Sequence, residues 1–598
     1  MSSKDRRRAA PAAPAPAAPA GAAWPAAFFV FLVACAAFVP ALHGRFVNWD
    51  DDHLILNNLA YRGFGWHNIR WMFTTLYLGN YTPLTWLSYA FDYGLWGLDP
   101  RGYHLTNVVL HGLNAAVFFA VGLRLYERAL PAAAAEDSGR LRFAAAVSAL
   151  FFALHPLRVE SVAWAAERRD VLCGLFYLLS VFFYLRAQTI SPDGRARGLT
   201  ISLAMFLLSL LSKGMAVSLP LVLLILDVFP LARLSADPSR WPAPEAARVW
   251  REKIPYLLLA LAFGAAGIVG QSRAGAVKSL AALSFSGRIA QASFAVLFYL
   301  WKTLLPFGLS PTYAPARDMS LLTSAYLFCF LLVLATTAVF IFLRRKFPSG
   351  LAVWIFYLAA LFPVSGLVGI GGQAAADRYT YLPCLGWALL AGGFFAVRAR
   401  GLPWKAAAVA LLAGLFALTW RQTLVWRDSE TLWRRSIALE PKLPLPRINL
   451  GESLAEQGRL DEAVLQYRGA LDLNPRDADA QMGLGVALMR QGRTEEAIAR
   501  YREALTIAPD GVETLSNLCA ALCALGQLDE ARQECDRALS LDPRHKGVHL
   551  NLGVILAKQG RLDEAAAHFR TALEIDPDFT DARNDLELAL RLQAAPAR

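Results

Sequence analysis

The sequence predicts an all-helical protein in two parts: a polytopic membrane domain of about eleven spans, then a solenoid of helix–turn–helix repeats. Three observations predict it. Of the 598 residues 56% are hydrophobic and only 18% charged, below the roughly 25% charged usual in soluble domains. Long apolar runs fill residues 24–420, whereas Asp, Glu and Arg crowd into the chain beyond about residue 428, so a boundary falls between the two. From Pro441 onward, proline, glycine and alanine return with a period of 34 residues.

Residues 1–25 read as a disordered Ala/Pro-rich cytoplasmic tail carrying Lys4, Arg6, Arg7 and Arg8, because such a composition buries too little surface to order. The apolar stretch from Phe28 ends at His43 without a small-residue cleavage pattern and is expected to stay as a first span. Residues 26–420 then form the multi-pass domain. A span needs about 20 apolar residues, and candidates fall near 26–43, 104–123, 143–157, 171–185, 199–212, 215–232, 254–270, 320–343, 351–369, 380–397 and 404–420. Lys and Arg in short loops mark the cytoplasmic side. The tail, Arg124 to Arg142, Arg186 to Arg197, Arg233 to Lys253, Arg344 to Lys346 and Arg398 to Lys405 carry such clusters. All can be cytoplasmic only with eleven crossings, which leaves the C-terminal part outside. The net charge of +12 is thus a topology signal, with no nucleic-acid partner implied. Residues 288–305 are expected to be re-entrant or interfacial, since Gln291 and Lys302 interrupt them and a further crossing would invert the count.

Residues 428–593 form the repeat array. Pro441, Pro475, Pro509, Pro543 and Pro577 share one register, and Gly458, Gly492, Gly526 and Gly560 share another. Ala463, Ala497, Ala531 and Ala565 make a third, and Ala470, Ala504, Ala538 and Ala572 a fourth. This is the tetratricopeptide signature. Four full repeats occupy 442–577, with flanking helices at 428–439 and 578–593. Arrays of this kind present a groove for proteins or extended peptides. Asn449, Asn517 and Asn551 share one repeat position, either to bind a peptide backbone or as solvated helix residues. Cys519, Cys523 and Cys535 fall at small or aromatic core positions and read as packing.

Candidate chemistry lies in the outer loops. Phe46 to His53 contains Asp50, Asp51 and Asp52 at a membrane exit. Adjacent carboxylates raise one another's proton affinity, as a general base requires, although an acidic turn is also an ordinary solvated cap. His104, Asn107, His111 and Asn114 line one face of the second span. Polar groups there face either a cavity or a hydrogen-bonded helix seam. The next outer loop holds His155, Arg158, Glu160, Glu167, Arg168, Arg169 and Asp170, and a later one Asp377, Arg378 and Tyr381. Arginines kept outside against the positive-inside bias suit an anion such as phosphate, or are neutralised by their acidic neighbours. Lys213 adds a cation at the edge of a span. Carboxylates and cations at bilayer depth fit a lipid-phosphate sugar, whose leaving phosphate needs cations and whose acceptor hydroxyl needs a base. No residue spacing marks a metal site, and no cofactor is expected beyond the lipid-linked donor itself.

These motifs resemble the transmembrane and tetratricopeptide-repeat-containing proteins, which are similar to the protein O-mannosyltransferases of GT-C fold. The resemblance rests on Asp50-Asp51, Tyr81-Thr82-Pro83-Leu84-Thr85, Tyr103 to His111, His155-Pro156 with Glu160, Arg168 and Asp170, Ser212-Lys213, and Arg378 to Pro383. It implies an inverting glycosyltransferase that moves a sugar, typically mannose, from a polyprenyl phosphate to Ser or Thr hydroxyls of acceptor proteins. It implies Asp50 or Asp51 as base, Arg378 and Arg168 on the phosphate, and repeats on the side of the site. Thr82 and Gly214 stand where eukaryotic members often carry Arg and an acidic residue. The Ala-, Arg- and Gly-rich composition points to a bacterial inner membrane with a periplasmic array. Two other readings remain at this stage: a non-catalytic membrane scaffold for envelope assembly, and a flippase or transporter for lipid-linked sugars.

Overall fold

The computed structural model describes residues 23–594 apart from 190, 281, 314–318, 370–372 and 399–400. The basic tail and most of its Ala/Pro-rich stretch therefore lie outside the described residues. The described residues are helical with no strand, and they divide into two compact units, one ending at Asp428 and one beginning at Ser429.

The first unit is a polytopic membrane domain. Six helices are long and apolar enough to cross a bilayer: Pro100–Ala129, Ala165–Ala187, Gly194–Ser212, Pro244–Arg273, Ser324–Leu343 and Leu402–Trp426. Ser138–Ala153 and Pro156–Ala163 reach that standard together, bent by 55°. The bend has a local cause. Pro156 removes a backbone donor at the break, and the His155 ring accepts a hydrogen bond from the Leu157 N–H at 3.3 Å, capping the second segment. The other ring nitrogen lies 3.0 Å from the Thr303 carbonyl, so Nε2 carries the proton. His155 is thereby a structural cap.

Shorter apolar helices cover Trp24–Ala37, Gly214–Val228, Pro348–Val364 and Leu385–Arg398. Helices occupy at least part of each stretch the hydropathy marks as a span. Residues 285–304 form one unbroken helix, which a re-entrant loop would interrupt, and it is not among the helices long and apolar enough to cross a bilayer. One face buries Ala295, Val296 and Tyr299 against Trp354 and Tyr357, while Phe285, Trp301 and Leu304 stay exposed.

In the second unit a leading helix, Ser429–Leu439, precedes four helix pairs. The pairs are Leu445–Glu456 with Leu460–Leu473, Ala478–Arg490 with Thr494–Ile507, Val512–Ala524 with Leu528–Leu541, and Lys546–Lys558 with Leu562–Ile575. Thr580–Ala594 follows them. Gly458, Gly492, Gly526 and Gly560 turn each pair with φ between 77° and 81°, backbone that only glycine adopts without strain. The periodic alanines are buried at the helix crossings. In the third pair the packing expectation for Cys519 and Cys535 is overturned: the two are joined by a disulfide. Cys523 is free and buried, as packing requires.

Candidate active site

The acidic turn follows the first helix. Its three carboxylates, alike in sequence, are separated by the fold. Asp51 is fully buried. It accepts hydrogen bonds from the Val47 N–H at 2.9 Å and the Ala166 N–H at 2.8 Å, tying the acidic turn to the 156–167 segment. Burial pushes its carboxyl up to about 8 against the pull of those two donors. Asp51 is out of reach of any substrate. Asp50 keeps 36% of its side chain exposed and stands 3.9 Å from Arg169. Burial raises its carboxyl above the ordinary range, with Arg169 pulling the other way.

Arg169 belongs to a cluster centred on Glu167. That carboxylate is wholly buried and meets Arg169 at 2.6 Å, Lys213 at 3.0 Å and Arg378 at 3.3 Å. Three chain segments far apart in sequence thus converge on one anion. Lys213 also reaches Asp170 at 2.7 Å, and Ser161 donates to the other Asp170 oxygen at 3.0 Å. Arg378 pairs with the buried Glu160 and donates to Gln373 at 3.0 Å. Its guanidinium lies 5.6 Å from the Trp164 ring centre, and Trp164 in turn stacks on Trp426. The cations keep an outer edge: 16% of Arg169, 15% of Lys213 and 11% of Arg378 side-chain surface is open. With five N–H donors on each guanidinium and three on an ammonium, each can hold Glu167 and still offer hydrogen bonds outward.

The placement corrects the expectation for Arg168. Its side chain is fully buried, 2.5 Å from Asp92. It also donates to the Asn107 side-chain oxygen at 2.9 Å, the Tyr103 carbonyl at 2.8 Å and the Ser88 carbonyl at 3.2 Å. A guanidinium committed on all sides holds the frame and faces no phosphate. The polar face of the second span is corrected likewise, since His104, Asn107, His111 and Asn114 have no more than 1% of their surface exposed. Asn107 donates to the Val162 and Trp164 carbonyls at 3.3 and 3.1 Å. His111 bridges the Tyr381 hydroxyl at 2.8 Å and the Ala153 carbonyl at 3.1 Å. Asn114 donates to the Val171 carbonyl at 2.7 Å. Asn107, His111 and Asn114, and Tyr381 with them, form a buried hydrogen-bonded seam between this helix and its neighbours.

Sequence reasoning kept Arg169 and Glu167 only as neighbours of Arg168. Consecutive helix positions lie about 100° apart, so of two adjacent arginines one turns inward and one outward; no local signal says which. Asp92, the partner of Arg168, sits 76 positions upstream and carried no mark at all. Beside Arg169 a small void is lined by Tyr77, Asn80, Thr82, Thr85, Trp86 and Tyr89, which brings the Tyr81 to Thr85 motif against the cluster. Among the described residues no three His, Cys, Asp or Glu side chains gather as a metal site.

Comparison with known proteins agrees with this two-part reading. The tetratricopeptide repeat family matches residues 448–512, 521–578 and 488–545. Protein O-mannosyl-transferase TMTC4 of Mus musculus is 25% identical over 486 residues, covering 73% of this chain and 65% of that protein. Protein O-mannosyl-transferase TMTC1 of Homo sapiens is 27% identical over 501 residues, covering 74% of this chain and 54% of that protein. The chain therefore spans between about half and two thirds of the length of these relatives. A thermophilic TPR protein of Thermus thermophilus, of known structure, is 25% identical over 30% of this chain and 96% of its own, with a TM-score of 0.26. The array is thus one of tetratricopeptide repeats, and across roughly three quarters of its length the chain is similar to proteins named protein O-mannosyl-transferases.

Proposed function

We propose that the membrane unit transfers a sugar, mannose by the names of its relatives, from a polyprenyl phosphate to Ser or Thr hydroxyls of proteins. The observation that carries this reading is the approach of half-exposed Asp50 to Arg169, 3.9 Å apart, on the rim of the Glu167 cation cluster. In the transfer, the acceptor hydroxyl gives its proton to Asp50 as its oxygen bonds to the sugar's anomeric carbon. The bond from that carbon to the phosphate oxygen breaks, its electron pair stays with the polyprenyl phosphate, and the anomeric configuration inverts. Arg169, Lys213 and Arg378 stabilise the charge that develops on the phosphate, the largest contribution such a site makes. Asp51 positions the acidic turn and Arg168 holds the scaffold behind it. The repeats recruit the acceptor protein. Asn551 also joins one repeat to the next, since its side-chain amide donates to the Ser516 carbonyl at 3.0 Å.

The test is a deletion strain complemented with wild type or with Asp50→Asn, followed by glycoproteomics of its Ser- and Thr-linked sugars. Wild type restores the missing glycopeptides and Asp50→Asn, present at equal level, does not. Equal restoration by both would sink the catalytic reading in favour of a scaffold, which needs no carboxylate at this position.

A further inference from the structure

The third repeat departs from the other three at one pair of positions. In the first, second and fourth repeats a glycine on the first helix faces an aromatic ring on the second: Gly451 with Tyr467, Gly485 with Tyr501, Gly553 with Phe569. A Cβ on Gly451 would lie 2.9 Å from the Tyr467 ring and one on Gly485 2.5 Å from the Tyr501 ring. The ring therefore occupies the space the missing side chain leaves. In the third repeat both members change together, to Cys519 and Cys535. Both are fully buried, and their Cα atoms stand 5.6 Å apart, within the range that a disulfide spans. Two thiols could not fill the volume of a tyrosine ring, whereas a covalent bond holds the two helices at their crossing without one. A third cysteine, Cys523, lies one turn beyond Cys519 on the same helix and stays free.

We propose that Cys519–Cys535 is a native disulfide staple that replaces the glycine–ring contact, and that the array folds in an oxidising compartment. Disulfides persist outside the reducing cytoplasm and are rare within it. The positive-inside count, which uses none of these residues, also puts the array on the non-cytoplasmic side. Formation follows thiol–disulfide exchange: the two thiols lose two protons and two electrons to a protein disulfide donor, which leaves as a dithiol. The inference is independent of glycosyl transfer.

The test counts thiols on the full-length protein. Cells are quenched in acid, and the denatured chain is alkylated with a maleimide–polyethylene glycol reagent, with or without prior reduction. Of seven cysteines, five react before reduction and seven after it. Cys523→Ser gives four and six, and Cys519→Ser gives six in both conditions. The double variant Cys519→Gly with Cys535→Tyr rebuilds the contact of the other repeats. It accumulates like wild type and shows five adducts in both conditions. In a host lacking the exported thiol oxidant, all seven wild-type cysteines react without reduction. Seven adducts from untreated wild type in an ordinary host, or six from untreated Cys523→Ser, would overturn the staple. An unchanged count of five in the oxidant-deficient host would overturn the compartment.

Discussion

The two units use charge in opposite ways. In the array, ion pairs repeat along single helices and sit at the surface: Arg459 with Glu462, Arg493 with Glu496, Arg561 with Glu564, each three residues apart and each 37–55% exposed. In the membrane unit the pairs are buried and join distant segments. Arg168 meets Asp92 with at most 1% of either side chain exposed, and Glu167 gathers cations from residues 169, 213 and 378. A surface pair is replaced by water when it breaks; a buried one leaves an uncompensated charge. The array's charges therefore tune solubility and local helix stability, while those of the membrane unit set its shape and hold its candidate chemistry.

The sharpest way to break that contrast is at Asp50, the most exposed carboxylate of the acidic turn. Loss of a general base lowers turnover by about 10²- to 10⁴-fold. Asp50→Asn is expected to lower kcat by that order, with donor binding and detergent-solubilised melting temperature unchanged. A fall in melting temperature matching the loss of activity would make Asp50 another buried structural charge, like Asp51.

Next in size is the frame itself. Asp92→Ala leaves Arg168 buried without its counter-charge, a change that costs about 3–5 kcal/mol. The expected result is a sharp loss of folded, membrane-integrated protein, read by fluorescence-detected size exclusion, with no selective effect on catalysis in what survives. A variant that folds normally would show that Asn107 and the Tyr103 and Ser88 carbonyls satisfy Arg168 alone.

The pH dependence sharpens the same point. As base, Asp50 acts only when ionised, so activity falls as pH drops through its pKa. Burial raises that value, so the acid limb of kcat/KM is expected above the ~3.9 of an unperturbed aspartate. Removing the pull of Arg169 with Arg169→Gln moves the limb further up; a limb that stays put in this variant would separate Arg169 from the base.

What was legible in the sequence follows from the same difference. A period of 34 residues repeats each constraint four times, so the glycine turns, the alanine crossings and the helix pairs could be read without a structure. Spans could be read because a bilayer imposes a length and an apolar composition. The site was legible in its parts and not in its pairing. His155-Pro156 read as a motif and proved to be a bend and its cap. His104 through Asn114 read as one polar face, but periodicity does not say whether that face meets a cavity or a neighbour. Arg168 and Arg169 are indistinguishable until the helix start fixes their angles, and Glu167 becomes a centre only when Lys213 and Arg378, 46 and 211 positions downstream, are folded onto it.

Two small perturbations complete the comparison from the array side. Gly492→Ala forces a side chain onto φ of 80° with no atom in its way, so its effect is backbone strain alone, about 1 kcal/mol. It is expected to lower the array's unfolding midpoint modestly. The smallest effect is expected at Arg493→Ala. Its partner Glu496 is on the same helix and open to water, so solvent takes over both charges once the pair is broken. Raising salt to about 1 M, where screening acts within about 3 Å, should likewise leave the midpoint where it was, because there is little pairing energy to screen. Arg169, also paired with a glutamate two positions away, gives the opposite expectation, since Glu167 is sealed from water. If Arg493→Ala lowers the array's midpoint as much as Arg169→Ala lowers that of the membrane unit, burial does not decide the worth of a pair here, and the division of labour between the two units fails.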